Sequence, residues 1–163
     1  MPSRLPTRLI NAAGFLACAA MLGYALYSEF HLGLDPCPLC IFQRIGVLAL
    51  GLAFLAAAVH NPARWGRRVY AALTALAALA TAAVAARHIY IQSQPPGTFA
   101  ACGAPLNVLM KMFHIWTVVA KVLHAGGECA VVNWRFAGLT MPEWVLIWMV
   151  GLGAAGVTAN LRR

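Results

Sequence analysis

Four long stretches of this chain are almost wholly apolar, and the polar residues crowd into the segments between them. The apolar runs cover 9–28, 45–59, 69–86 and 144–159. The first has the roughly 20 residues a helix needs to cross the hydrocarbon core of a bilayer. The others approach that length once flanking residues are added, giving spans at 9–28, 41–60, 69–88 and 143–161. No strand-like alternation of apolar and polar positions is present, which argues against a membrane barrel. The first run has a basic flank and small residues, as a secretory signal does, but it exceeds the roughly 7–15 residue apolar core of such a peptide. His60, Asn61 and Pro62 break the second run, and the third is rich in alanine, which lets a neighbouring helix approach closely. The pattern predicts an all-α integral membrane protein: one domain over 1–163, folded as a bundle of four transmembrane helices.

A short loop, 29–40, joins the first two spans, and a long one, 89–142, joins the last two. Gln94, Pro95, Pro96 and Gly97 open the long loop as an irregular turn. Residues 105–124 then read as a helix. Asn107, Lys111, His114, Val118 and Lys121 recur at spacings of three and four, and only Val118 interrupts the polar stripe. The remaining positions are large and apolar, so the helix is expected to lie in the membrane surface with its lysines toward water. A fifth span would instead place two lysines in lipid at a few kcal/mol each. Pro142 stands where the last span begins, a favoured place for proline.

Composition and charge sharpen this picture. The chain is 62% hydrophobic and 10% charged, against about a quarter charged in soluble domains. Its net charge of +8 is distributed asymmetrically. Arg4, Arg8, Arg64, Arg67, Arg68, Arg162 and Arg163 occupy the two termini and the loop between spans two and three. All four acids, Glu29, Asp35, Glu128 and Glu143, fall in the other two loops or at their very edge. The positive-inside rule then places both termini and the 60–68 loop in the cytoplasm and the two cysteine-bearing loops outside. No basic stripe with interleaved aromatics suits a phosphate backbone, so nucleic acid is not expected as a partner.

Candidate chemistry lies in the cysteines at 18, 37, 40, 102 and 129. Cys18 sits mid-span among alanines and reads as a small apolar filler. The other four share the outer side, where disulfides persist. Cys37 and Cys40 bracket Pro38 and Leu39 where a helix starts. Such a pair closes a small, strained disulfide, the usual form of a redox switch. Cys40 falls in the first helical turn, where free N–H groups favour a thiolate, and Arg44 follows one turn later on the same face. Cys102 and Cys129 have 26 residues between them, unlike the two close pairs of a structural zinc site, so no metal is expected. Two static disulfides remain an alternative to a relay in which one disulfide meets an external partner and the other hands electrons onward. No Rossmann glycine pattern points to a nucleotide cofactor.

The chain resembles the bacterial disulfide-bond formation protein B (DsbB) family along nearly its whole length. The resemblance rests on Cys37, Pro38, Leu39 and Cys40 followed by Gln43 and Arg44, on Cys102 after Phe99, Ala100 and Ala101, and on Cys129 within Gly127 to Ala130. Trp134 to Leu139, leading into Met141, Pro142, Glu143 and Trp144, completes it. It implies a quinone-dependent thiol oxidase that re-oxidises a soluble thioredoxin-fold oxidant of the DsbA type. The resemblance further implies that Cys102 and Cys129 form the disulfide presented to that partner and that Cys102 takes the attack. Cys129 then exchanges with Cys37, and Cys40 is released as a thiolate beside ubiquinone or menaquinone. Arg44 matches the family's quinone-site arginine. His88 matches a pocket histidine more loosely, and the competing reading is a histidine solvated at the interface. Gln43 reads as a helix-packing polar group. The vitamin K epoxide reductase-like family shares the helical bundle and the C-x-x-C, but there the loop pair precedes that motif, whereas here it follows.

Overall fold

The computed structural model describes residues 7–62, 64–95, 110–124 and 127–161. Four helices in it are long and apolar enough to cross a membrane: α1 (Thr7–Leu32), α2 (Pro38–His60), α3 (Arg64–Gln92) and α5 (Met141–Leu161). They form a closed bundle in which α1 packs on α2, α2 on α3, α3 on α5, and α5 returns to α1. A short helix, α4 (Ile115–His124), and a 3₁₀ turn (Gly127–Ala130) cover one end. A small antiparallel hairpin, β1 (Arg135–Phe136) with β2 (Leu139–Thr140), leads into α5. The outward faces carry Leu16, Leu48, Leu52, Leu76, Leu79 and Val150, each half or more exposed, as lipid-facing positions should be.

The bundle is held by close approach of small residues, since lipid offers no hydrophobic drive between helices. Phe54 of α2 is fully buried at the centre. Its ring occupies space left by Gly14 of α1 and Gly156 of α5, where an added Cβ would come within 2.9 Å of ring atoms. Cys18 packs into the same core against Gly51, as its reading as a filler expects. At the bundle end away from the cysteine pair, Asn11 and Asn160 exchange two amide hydrogen bonds of 3.2 and 3.1 Å. That pairing satisfies two polar groups that would otherwise be costly in an apolar core.

The helix ends fix the position of the cysteine pair. Cys37 is the N-cap of α2, in an extended conformation, and its sulfur accepts from the Cys40 backbone N–H at 3.4 Å. Pro38 follows at the first helical position, where its missing N–H costs nothing. Asn61, left-handed at φ 41°, closes the helix, and its N–H donates to the Ala57 carbonyl. At the start of α5, Glu143 accepts from the Thr140 N–H and hydroxyl at 2.5 and 2.8 Å, satisfying a free donor of the first turn.

Three sequence expectations change here. Helix α1 continues to Leu32, so Glu29 lies on a helix rather than in a loop, and the turn is made by Gly33 at φ +64°. The expected helix over 105–124 is interrupted at Phe113 and His114, with α4 beginning at Ile115; residues 105–109 lie outside the described residues. Val118, expected on a water-facing stripe, is buried together with Val122 against Leu39, Ile91 and Cys129. Lys111 and His114 are open, as expected of the polar stripe, and the bundle receives the two valines. Trp116 and Ile115 are open as well.

Candidate active site

Five of the six residues singled out by sequence meet at one end of the bundle; Cys102 lies outside the described residues. The Cys37 thiol donates to the Cys40 sulfur across 3.0 Å, and the two are unbonded. Cys129, carried on the 3₁₀ turn, is buried beside them, and one ligand atom each from Cys37, His88 and Cys129 lie within 4.8 Å of one another. The Cys129 thiol is held far above the ordinary thiol range, first by its hydrogen bond to Cys37 and next by burial. It therefore stays protonated at neutral pH and acts as a donor until a base or alkali removes the proton.

His88 is buried on α3, which excludes the competing reading of a solvated interfacial residue. The Gln43 side-chain amide donates to its Nδ1 at 3.1 Å, and its Nε2–H donates to the Cys129 carbonyl at 3.2 Å. The Cys37 sulfur lies 3.9 Å from the same Nε2. The imidazole thus joins α2, α3 and the 3₁₀ turn, and Gln43 does more than pack helices: it sets the ring's orientation. Gln92, one turn on from His88, approaches Nε2 at 3.3 Å.

Beside this cluster opens a cavity of about 730 Å³, within the usual range of ligand pockets. Cys37, Cys40, Gln43, His88 and Arg44 stand among its polar lining, with Ser28, Asp35, Gln92 and Asn133, and α1 supplies Met21, Tyr24 and other largely apolar positions. Its far wall is aromatic. Trp134 and Phe136 stack at 6.1 Å, Tyr24 meets Trp134 edge-on at 5.9 Å, and the Trp144 indole N–H donates to the Phe136 carbonyl at 3.1 Å. Trp134, Trp144 and Trp148 all line the cavity. The hairpin that delivers Trp134 and Phe136 depends on Ala137 and Gly138, both at positive φ, the turn type that matches strand twist.

Arg44 faces the cavity while anchored behind by two acceptors on α1. Nη1 pairs with the Glu29 carboxylate, and Nη2 donates to the Ala25 carbonyl at 2.9 Å. Glu29 was missed as a site residue. Its signal was present: an acid directly after the end of an apolar run, with a lone arginine in the next span. Both side chains are only partly exposed, so the pair, with the Ala25 carbonyl, holds the guanidinium in place.

The fold and the site together define a helical membrane protein with a dithiol centre at the rim of an apolar pocket. The family described as "Disulfide bond formation protein DsbB" matches residues 7–159. Curated relatives, each named "Disulfide bond formation protein B", agree along most of the chain. That of Xanthomonas euvesicatoria pv. vesicatoria is 44% identical over 162 residues, covering 99% of this chain and 94% of its own. That of Chromobacterium violaceum is 46% identical over 148 residues, covering 88% and 89%. That of Methylococcus capsulatus is 49% identical over 141 residues, covering 86% of both. The chain belongs to the DsbB family, and it is a multi-pass membrane thiol oxidoreductase of disulfide bond formation.

Proposed function

We propose that this protein re-oxidises a periplasmic, thioredoxin-fold dithiol oxidant of the DsbA type and passes the electron pair to a membrane quinone. The observation that carries this reading is the meeting of Cys129 with Cys37, while Cys40 stands 3.0 Å from Cys37 and borders the cavity. A loop cysteine that exchanges with an outside partner has to reach the C-x-x-C pair, and this arrangement lets it do so. Both termini lie in the cytoplasm in this reading, and the cysteine end of the bundle faces the periplasm of the inner membrane.

In the first step a partner thiolate attacks Cys102 of a Cys102–Cys129 disulfide, forming a mixed disulfide and releasing Cys129. The partner's second thiol resolves that mixed disulfide and leaves oxidised, with Cys102 as a thiol. Cys129 gives up its proton, with His88 the nearest base, and attacks Cys37 of the Cys37–Cys40 disulfide. The S–S bond between Cys37 and Cys40 breaks, a Cys129–Cys37 bond forms, and Cys40 leaves as a thiolate. Helix α2 supports that leaving group with first-turn N–H groups and the Cys37 donor supports it once that thiol is free. Attack of Cys102 on the Cys129–Cys37 bond restores the loop disulfide and leaves Cys37 and Cys40 reduced.

The cavity fits a quinone head. It is apolar and aromatic on most of its wall, as a flat lipid-soluble ring requires, and its polar patch offers the Arg44 guanidinium, a donor suited to a carbonyl oxygen. Bound there, a quinone supplies a two-electron sink that returns Cys37 and Cys40 to the disulfide. Arg44 would hold it, with Glu29 keeping the guanidinium aimed; His88 and the aromatic wall would border it.

Anaerobic quinone reduction by the purified protein plus reduced DsbA-type partner tests the proposal. Cys40→Ser should abolish reduction, and Arg44→Met should raise the quinone KM at least about tenfold, the scale of one charge-assisted contact. Reduction at the wild-type rate in Cys40→Ser would refute the assignment.

A further inference from the structure

The sequence offers no close pair of cysteine pairs for a metal, yet the fold assembles a different set of donors. Cys37 comes from the C-x-x-C, Cys129 from the loop pair, and His88 from α3. From this we infer that the fully reduced cluster is a binding site for a sulfur-seeking divalent cation such as Zn²⁺ or Cd²⁺, and that the bound ion holds the relay shut.

Tetrahedral zinc, with bonds of 2.0–2.3 Å, places its sulfur and nitrogen ligands about 3.5–3.8 Å apart. The Cys37 sulfur and His88 Nε2 already stand at 3.9 Å, and the whole triad lies within 4.8 Å, so closure needs shifts of an ångström or less. The histidine is supported from behind in the way metal-bound imidazoles are, because Gln43 engages its Nδ1. On binding, the proton moves from Nε2 to Nδ1, the Gln43 amide turns to accept it through its oxygen, and the bond to the Cys129 carbonyl is given up. The two thiols release two protons, so one divalent ion replaces them and no electrons move. Cys37 and His88 border the cavity, which leaves the fourth position open to water or a small anion. Two thiolates and one imidazole form a soft set that favours Zn²⁺ or Cd²⁺ over Mg²⁺ or Ca²⁺.

The consequence is state-dependent. Oxidation of Cys37 onto either Cys40 or Cys129 removes a ligand, so the ion binds only a chain waiting for an oxidant. Once bound, neither Cys37 nor Cys129 can attack or be attacked. This site does not require the quinone reading, because it rests on the triad alone.

Anaerobic titration of the reduced full-length protein in nanodiscs with Cd²⁺, followed by thiolate-to-cadmium charge-transfer absorbance, tests it without quinone or partner. One ion per chain should bind. Cys129→Ser and His88→Ala should each weaken binding by about tenfold or more, while Cys40→Ser and Cys18→Ser leave it essentially unchanged. Cys129→Ser, nearly isosteric, keeps the test decisive if His88→Ala fails to fold. Absence of saturable binding would overturn the inference. So would equal affinity in wild type and Cys129→Ser, or a loss in Cys40→Ser as large as in Cys129→Ser, since either puts the ion on the C-x-x-C pair. Quinone reduction measured with chelator present reports on the relay separately.

Discussion

At the scale of single residues, the chemistry turns on where protons sit. Cys129 is buried and hydrogen-bonded to Cys37, so its thiol resists ionisation. The attacking species is the thiolate, and its fraction grows about tenfold per pH unit below the pKa. The exchange of Cys129 onto Cys37 is therefore expected to accelerate from about pH 6 to about pH 9 without a plateau, as read by rapid acid quench and thiol trapping. A flat profile would mean that another base removes the proton first. Gln43→Leu should slow the same step by releasing the His88 ring while leaving the C-x-x-C disulfide intact; an unaltered rate would show that the ring is oriented without it. The sequence displayed the C-x-x-C, the loop cysteines and Arg44 because spacing and residue type alone mark them. It did not display the burial of His88, which comes from α4 and the 3₁₀ turn closing over the end of α3, contacts distant in sequence. Glu29 was visible as a charge but not as Arg44's anchor, because the partnership crosses from α1 to α2.

At the scale of elements, hydropathy located four helices because lipid demands long apolar runs. It could not set their ends. Helix α1 passes Glu29 because Arg44 neutralises that acid, and it stops where Gly33 takes a positive φ. The inward face of α4 was not legible for a related reason: its apolar positions surround the stripe, and Val118 with Val122 decided the matter by packing on Leu39 and Ile91. The hairpin at 135–140 carries little sequence signal beyond Gly138, yet it builds the aromatic wall of the cavity. Packing within the bundle makes its own prediction. Phe54→Ala removes the ring that fills the notch left by Gly14 and Gly156, and should destabilise the protein by about 3–5 kcal/mol, the cost of such a cavity. Gly156→Val should destabilise it as well, by thrusting methyl groups at Phe54 and Thr74. Thermal unfolding in detergent measures both, and a melting temperature unchanged in either variant would mean that the core adapts.

At the scale of the whole molecule, the bundle separates two tasks. One end is tied by the Asn11–Asn160 pair, and the other holds thiols beside an apolar cavity. In the proposed orientation, read from the charge asymmetry, the thiol end faces the periplasm. A membrane-impermeant maleimide should accordingly label reduced Cys37 in spheroplasts and fail to do so in sealed inverted vesicles; the reverse pattern would invert the topology. The central claim is narrower than topology: electrons leave the loop through contact between Cys129 and Cys37. Mild diamide oxidation of a Cys40→Ser, Cys102→Ser double variant, followed by peptide mapping of the disulfides, tests that contact most directly. A Cys37–Cys129 disulfide within one chain is the expected product, and recovery of both residues as free thiols, or their joining only between chains, would contradict the relay.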